Sequence, residues 1–264
     1  MMIGIVIPLK AKSVSRNWDV TLKNLAMTLK SIDSQTCDFF EAIVIGHDLP
    51  EYFDQSDSCF NKVKFLHFND FAPPQKGSDE AQNQLNYEKD RCSKILKGIQ
   101  ILKKHHSGIT HWFALDADDL IHKNFVKVLQ KYGPKENIVL DKGYFYYKST
   151  GLINKEDSFS SYCGSSSVLS DYFFDIPSEE KVVDFRSIPF GSVSHVHMRD
   201  YVIREGHSVK IPAERLIMYV RDNGENISSG VYCNTAYKKF KKYIKVLFKY
   251  KFFGKSLKAD FGII

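Results

Sequence analysis

The sequence predicts an α/β protein in which a mostly parallel sheet is flanked by helices. Short apolar runs typical of buried strands alternate, along the first half of the chain, with segments whose apolar residues recur every three or four positions. Because strands joined through a helix run parallel in one sheet, this order predicts crossover units with helices on both faces. One apolar run ends in three acidic residues within four positions, which predicts a site at the carboxyl edge of the sheet.

The predicted elements follow in a simple order before residue 120. Apolar residues at helical spacing predict one helix over about 22–32 and a second over about 88–104. Between them, the polar stretch 71–86 is broken by proline and glycine and is predicted to be a loop. The buried strands are predicted at 3–8, 42–45, 63–68 and 111–115.

Length and cysteine usage limit the class of protein. A chain of 264 residues forms one substantial core, so we expect one domain with a C-terminal appendage. The five cysteines are widely spaced without a CxxC pair, which argues against a disulfide framework or a structural zinc. No apolar run approaches the ~20 residues of a membrane span, and no signal peptide is evident. We therefore expect a cytoplasmic protein.

The positive charge of the chain is confined to its C-terminal end. Residues 231–264 hold nine lysines and one acid, a net charge of +8, although the whole chain carries only +6. The other 230 residues hold 28 basic and 30 acidic groups, a net charge of −2. Nucleic-acid binding by the body of the protein is therefore not expected.

The acidic cluster is Asp116, Asp118 and Asp119, directly after an apolar run that begins at His111. Crowded carboxylates repel one another, and a hard divalent cation with oxygen ligands relieves that repulsion. The alternative is that Asp118 or Asp119 only caps a helix that starts near His122. A cap needs one acid and three are present, so the pattern favours a metal site.

The segment Phe113–Asp119 resembles the DxD signature of GT-A glycosyltransferases, especially the bacterial family 2-like group that builds surface polysaccharides. The resemblance implies a GT-A (Rossmann-like) fold in which Mg²⁺ or Mn²⁺ grips the diphosphate of a UDP- or GDP-linked sugar. It assigns Asp118 as principal metal ligand, Asp116 to the donor ribose or the metal, and Asp119 as a supporting acid. It divides the chain into a nucleotide-binding half (about 1–120), an acceptor-binding half (121–230) and the tail (231–264).

The same resemblance assigns further residues to the donor. Pro8 and Lys10 end the first strand where a nucleoside-binding loop is expected, with a basic stretch in place of the usual small polar residues. Asp48 stands where an acid contacts the base. The remaining assignments are Arg91 and Lys94, three apart on one helical face and directed at the diphosphate, the small-residue turn with Gly164 and Ser165, and Arg221. Arg221 belongs to the segment 218–228, which is expected to follow a strand. There the resemblance assigns Arg221 to the diphosphate charge and Asp222 or Asn223 as an oxygen ligand.

The expected catalytic acid pair is missing. Where inverting members of the group carry a Glu-Asp pair, this sequence has Ser194 and His195, with His197 and Asp200 nearby. Histidine is a general base near neutral pH and also a common metal ligand. We therefore take His195 and His197 as candidate bases, with His197 also a candidate metal ligand, and a structural role as the alternative.

The tail carries a separate pattern. Aromatic and aliphatic residues recur at helical spacing over 237–253, with lysines on the other face, which predicts a basic amphipathic helix. Such helices bind anionic membrane surfaces, and the alternative is packing on the domain or on a second subunit. Membrane attachment at the inner face of the plasma membrane fits a glycosyltransferase with a glycan or lipid-linked glycan acceptor.

Two other functions remain open from sequence. A nucleotidyltransferase also uses metal-binding carboxylates at a sheet edge, but it normally has a glycine-rich, basic phosphate loop after the first strand, and residues 8–12 contain no glycine. A non-catalytic module that binds a nucleotide sugar is supported by the missing acid pair.

Overall fold

A computed structural model describes residues 1–54, 60–178, 184–225 and 255–263 of the chain. Its helices are α1 (Trp18–Asp33), α2 (Glu51–Asp54), α3 (Glu80–His105), α4 (Phe125–Leu129), α5 (Pro189–Ser192), α6 (Met198–Arg204) and α7 (Lys255–Asp260). Its strands are β1 (Ile3–Pro8), β2 (Phe40–Gly46), β3 (Val63–His67), β4 (His111–Ala114), β5 (Asp119–Ile121), β6 (Asn137–Val139), β7 (Gly143–Tyr147), β8 (Leu152–Glu156), β9 (Ser167–Ser170), β10 (Val209–Lys210) and β11 (Ile217–Arg221).

Seven of these strands form the main sheet, in the order β10-β6-β9-β4-β1-β2-β3. Only β9 runs antiparallel to its neighbours, β4 and β6. The prediction of a mostly parallel sheet is therefore confirmed. A second, smaller sheet has the order β5-β11-β7-β8.

Strand β1 shows how the helices cover both faces of the main sheet. Ile3, Ile5 and Ile7 pack with the buried side of α1, whereas Val6 packs with the buried side of α3. Alternate residues of a strand point to opposite faces, so a strand that is apolar at every position must be covered twice. Helices on both sides of the sheet confirm the predicted layer order.

Helix α3 is longer than the sequence predicted. It begins at Glu80 rather than near 88, and the Asp79 carboxylate accepts hydrogen bonds from the backbone N–H groups of Ala81 and Gln82. Part of the predicted loop 71–86 is therefore helical. The first turns are exposed and polar, so they lack the apolar periodicity that predicted the rest of the helix.

Two further boundaries differ from the prediction. No helix starts at His122, because Asp119–Ile121 forms β5, which pairs antiparallel with β11. The chain then enters α4 at Phe125. Met218–Arg221 was expected to follow a strand but lies within β11.

The last described segment, 255–263, packs on the back of the second sheet. Phe261 is fully buried in a cluster with Leu120, Tyr146 and Met218. Asp260 accepts a backbone hydrogen bond from Lys123 at 2.7 Å and pairs with its ammonium at 2.8 Å. This last part of the predicted tail (231–264) therefore lies against the body of the protein, where it covers an apolar sheet face.

The predicted amphipathic stripe, 237–253, lies outside the described residues. Within the described ranges, no helix has both the length and the apolar character needed to cross a bilayer.

Candidate active site at the carboxyl edge of the main sheet

The carboxyl ends of β1, β2 and β4 bring the predicted donor residues to one edge. These strands are adjacent and parallel, with β1 between the other two, so the residues that follow them share that edge. The Asp48 carboxylate, after β2, accepts a hydrogen bond at 2.8 Å from the backbone N–H of Lys12, after β1. Asp48 thus holds the loop that leads out of β1.

Asp116 follows β4 and is paired with Arg91 from α3. The Arg91 Nε and Nη2 atoms both donate to Asp116 Oδ1, at 2.9 and 2.7 Å. A Cβ atom at Gly164 would lie 2.8 Å from Asp116 Oδ2 and 3.1 Å from Arg91 Nη2, so a larger residue here would have to displace one of these two side chains. Arg91, Asp116 and Gly164, three residues predicted separately, therefore meet at one point.

Asp118 is held from the other side of the site by the segment after β11. Asn223 Nδ2 donates to Asp118 Oδ2 at 2.7 Å, and its own Oδ1 accepts from the backbone N–H of Glu225. Burial raises the pKa of Asp118 to about 6, and the charge of Asp116 adds to this rise, whereas Asn223 and Lys10 oppose it. The sequence suggested Asn223 as an oxygen ligand, but its amide instead orients the acid.

Asp119 is a buried support for the loop. Its Oδ2 accepts from Ser165 Oγ at 2.7 Å and from Cys163 Sγ at 3.1 Å, while Ser165 Oγ accepts from the backbone N–H of Asp116 at 2.8 Å. Burial, followed by the charges of Asp118 and Asp116, raises the pKa of Asp119 well above its usual range. Its Oδ1 has no hydrogen-bond partner among the described residues, which agrees with a neutral carboxyl group.

The two histidines occupy different surroundings. His195 is half-buried, and burial lowers its pKa, with Asp116, Arg91 and His197 as the charges that act on it. Burial therefore favours the neutral form of this imidazole, which lies close enough to Asp116 to be affected by its charge. His197 is exposed in a groove of about 530 Å³ that it lines with Asp200, among others.

The predicted metal set is not assembled as a whole. Within the described part of the chain, no three His, Cys, Asp or Glu side chains are close enough together to hold a metal ion. The structure thus does not bring His197 together with Asp116 and Asp118. The two acids alone still fit a hard divalent cation, since Mg²⁺ commonly takes one or two carboxylates and completes its shell with phosphate oxygens and water.

Lys94 is placed differently from its helical neighbour Arg91. Its side chain is fully buried, and its ammonium donates to Asp90 at 2.6 Å and to the backbone carbonyl of Leu9 at 2.8 Å. Asp90 also bonds His47 Nε2 at 2.7 Å. Lys94 therefore supports the end of β1 from below and does not face the cleft.

Lys10 and Pro8 lie at the opening of the site. Pro8 is the buried last residue of β1, and the half-buried Lys10 pairs with Glu225 at 3.0 Å. The Glu225 carboxylate also accepts from the backbone N–H groups of Arg16 and Asn17, at 3.2 and 2.7 Å. Glu225 was not predicted as a site residue. A lone glutamate in a polar segment gives no sequence signal for a contact 208 positions away.

Arg221 ends β11 on the face of the second sheet that meets the site. Its guanidinium lies over the rings of Phe145, Tyr147 and Tyr219, at 5.1, 5.7 and 5.7 Å from the ring centroids. Such contacts stabilise a cation through the negative face of each ring. Within the described residues, Arg221 makes no hydrogen bond or ion pair with Asp116 or Asp118.

The similarity of this chain to known proteins is confined to solved structures at low TM-scores. No protein-family model and no curated protein matches this sequence. A crystal structure of S. aureus TarS 1-349 is similar over 83% of this chain, which spans 60% of the TarS chain, at 10% identity and a TM-score of 0.43. The inositol-1-phosphate CTP transferase from T. maritima is similar over 92% of this chain and 96% of its own, at 10% identity and a TM-score of 0.41. These weak likenesses are of overall fold, and neither a function nor a family rests on them.

Proposed function

We propose that the protein is a metal-dependent glycosyltransferase that moves a sugar from a nucleotide-sugar donor to a glycan acceptor. One observation supports this most: Asp116 and Asp118 are each oriented by a polar partner, Arg91 and Asn223, at the carboxyl edge of a parallel sheet. Within the described residues, the second oxygen of each carboxylate accepts no hydrogen bond from another residue. The two carboxylates are close enough for the charge of Asp116 to raise the pKa of Asp118, and such a pair is suited to a divalent cation that also contacts a diphosphate.

The donor binds, in this proposal, across the ends of β1 and β4. Arg91 lies beside Asp116 and meets the diphosphate as a planar donor, and Lys10 adds a second positive charge. Asp48 holds the loop after β1, against which the nucleoside of a UDP- or GDP-linked sugar lies. A bound Mg²⁺ or Mn²⁺ would stabilise the negative charge that builds on the leaving diphosphate.

The proton of the acceptor hydroxyl goes to His195. Its imidazole is kept neutral by burial and lies within electrostatic reach of Asp116, so it accepts a proton at neutral pH without first losing one. His197, exposed in the neighbouring groove, is the second candidate. Replacing the true base with alanine should lower kcat by roughly 10²–10⁴ while nucleotide binding survives.

The acceptor is proposed to be a bacterial surface glycan or a lipid-linked form of it, with the basic segment 237–253 on the anionic inner face of the plasma membrane. The tail charge of +8 supports this, since each lysine near such a surface contributes about 1 kcal/mol. Because salt screens this attraction, binding of the segment to the membrane should weaken as the salt concentration rises.

A panel of nucleotide sugars, incubated with the protein and Mn²⁺, tests the proposal. We expect slow hydrolysis of one UDP- or GDP-linked sugar, no hydrolysis in EDTA, and loss of hydrolysis in Asp118→Asn. The matched control is Asp38→Asn, whose carboxylate is 82% exposed and far along the chain from the cluster. Release of pyrophosphate from CTP, with every nucleotide sugar left intact, would instead identify a nucleotidyltransferase.

A further inference from the structure

Arg221 and the three rings beneath it form a distinct feature, which we name the arginine cage (Arg221, Phe145, Tyr147 and Tyr219). The guanidinium is half-buried, and its Nη1 donates to the Tyr147 hydroxyl at 3.4 Å. In the described part of the chain this is the single hydrogen bond of a group with five N–H donors. Most of its donors therefore make no hydrogen bond with the described residues.

Arg221 differs from Arg91 and Arg215 in its pairing with carboxylates. Arg91 is paired with Asp116, and Arg215 with Asp157. No carboxylate among the described residues pairs with Arg221. The three rings hold its charge in place without neutralising it, so the cage presents a fixed positive charge on a half-buried surface.

The arginine cage borders the acidic cluster. Tyr219 stands opposite Asp119 in the β11–β5 pair, so the two side chains lie on the same face of the second sheet. On the other side, the ring of Tyr162 packs edge-on against Phe145 with centroids 5.5 Å apart, and its side chain is 54% exposed. Tyr162 lies two residues before Gly164, which contacts Asp116.

We infer that the arginine cage binds a phosphate or carboxylate group of the acceptor, and that the exposed ring of Tyr162 packs against the acceptor's sugar ring. The guanidinium fork matches the oxygens of both anions, and a group bound there lies on the sheet face that also carries Asp119, the chain neighbour of Asp118. The acceptor is therefore an acidic or phosphorylated glycan. This inference rests on the proposed function, because it assigns a second substrate to the same site.

The inference is tested with glucose 6-phosphate, glucuronate and glucose as probes, whose binding to the full chain is measured by ligand-observed NMR. We expect both anionic probes to bind at least about tenfold more tightly than glucose, the usual size of a charge-assisted hydrogen bond. Arg221→Gln should abolish that preference, and Arg221→Lys, which keeps the charge without the fork, should restore part of it. The matched control is Arg186→Gln, an exposed arginine that lies over one ring, Phe185, at 5.3 Å.

A parallel titration with UDP and GDP plus Mn²⁺ separates the arginine cage from the donor site. Unchanged nucleotide affinity in Arg221→Gln supports an acceptor subsite, whereas a loss of nucleotide affinity would assign Arg221 to the donor diphosphate and overturn the inference. Equal binding of glucose and its phosphate to the wild type, or an anion preference that persists in Arg221→Gln, would overturn it too. Failure of the wild type to bind any nucleotide would contradict the proposed function, whatever the sugar probes show.

Discussion

Asp118 is a half-buried acid whose ionisation is opposed by a second acid two residues away. Its pKa is raised to about 6, above the ordinary value of 3.8 that applies in the unfolded chain. The folded protein therefore holds a proton that the unfolded chain has lost between about pH 4 and pH 6, and stability falls as pH rises through that window. Above about pH 6 Asp118 is ionised in the folded protein too, and stability no longer falls on its account.

We predict that Asp118→Asn, measured without metal in EDTA, is more stable than the wild type at pH 7 by on the order of 2 kcal/mol. The difference should shrink on acidification and vanish near pH 4. Urea unfolding at a series of pH values measures it. A difference that stays constant from pH 4 to pH 8 would show that Asp118 ionises as an ordinary surface acid.

Lys94 and Arg91 illustrate what the sequence could not reveal about single residues. Helical spacing correctly places both residues on one side of α3. However, Lys94 lies under the end of β1, whereas Arg91 lies beside Asp116 at the carboxyl edge of the sheet. Only the packing of the helix on the sheet decides which cation reaches the cleft. Similarly, Asp116 and Gly164 were each predicted, whereas their contact depends on a turn whose conformation no motif specifies.

Removal of Asp90 should be strongly destabilising, because it would leave the Lys94 ammonium buried without its partner. We predict a loss of about 3–5 kcal/mol for Asp90→Ala, and substantial recovery in the double variant Asp90→Leu with Lys94→Met. The free energy of unfolding in urea provides the comparison. A loss below about 1 kcal/mol in the single variant would mean that water reaches the ammonium.

Among the helices and strands, the close fit of α3 on the main sheet is set by Gly98. A Cβ atom at this position would lie 2.4 Å from Val6 Cγ1 and 3.3 Å from Ile45 Cγ1. Helix and sheet approach closely here because no side chain separates them. No sequence pattern indicates the role of Gly98. A glycine lowers the helix propensity of α3, and the close packing on the sheet that offsets this cost is evident only in the structure.

We predict that Gly98→Ala destabilises the protein by about 1–3 kcal/mol, although alanine favours the helix by about 1 kcal/mol. The exposed Glu88→Ala on the same helix is the control and should change stability by less than about 0.5 kcal/mol. Thermal unfolding of the wild type, Gly98→Ala and Glu88→Ala measures both differences in stability. A more stable Gly98→Ala protein would show that α3 can shift away from β1 at no cost.

The strands of the main sheet were the most predictable elements. Ile3–Pro8 was predicted to the residue, because a strand covered on both faces is a continuous apolar run with clear ends. The short β5 was not predicted, because its three residues carry no periodicity and are ordered by pairing with β11, about 100 positions later in the chain. Elements held by distant partners lack a local signal.

For the molecule as a whole, the C-terminal region divides into a described segment and a segment for which only the sequence predicts a role. Segment 255–263 completes the core behind the second sheet, whereas the charge pattern of 237–253 predicts a membrane surface. Phe261→Ala should therefore cost about 3–5 kcal/mol of stability.

Glutamine in place of the seven lysines of 237–253, with 255–263 kept, should abolish sedimentation with phosphatidylglycerol vesicles at low salt and leave stability unchanged. Vesicle binding that survives these substitutions would contradict membrane attachment by the tail.

The central claim is that Asp116 and Asp118 hold a divalent cation together with a nucleoside diphosphate. Electron paramagnetic resonance of Mn²⁺ titrated into the protein, with and without UDP or GDP, measures this directly. We predict that one of the two nucleotides raises Mn²⁺ affinity in the wild type and in Asp38→Asn, and that Asp118→Asn loses this effect. Binding should also weaken below about pH 6, as protons compete for Asp118. Equal Mn²⁺–nucleotide binding by the wild type and Asp118→Asn would contradict the claim.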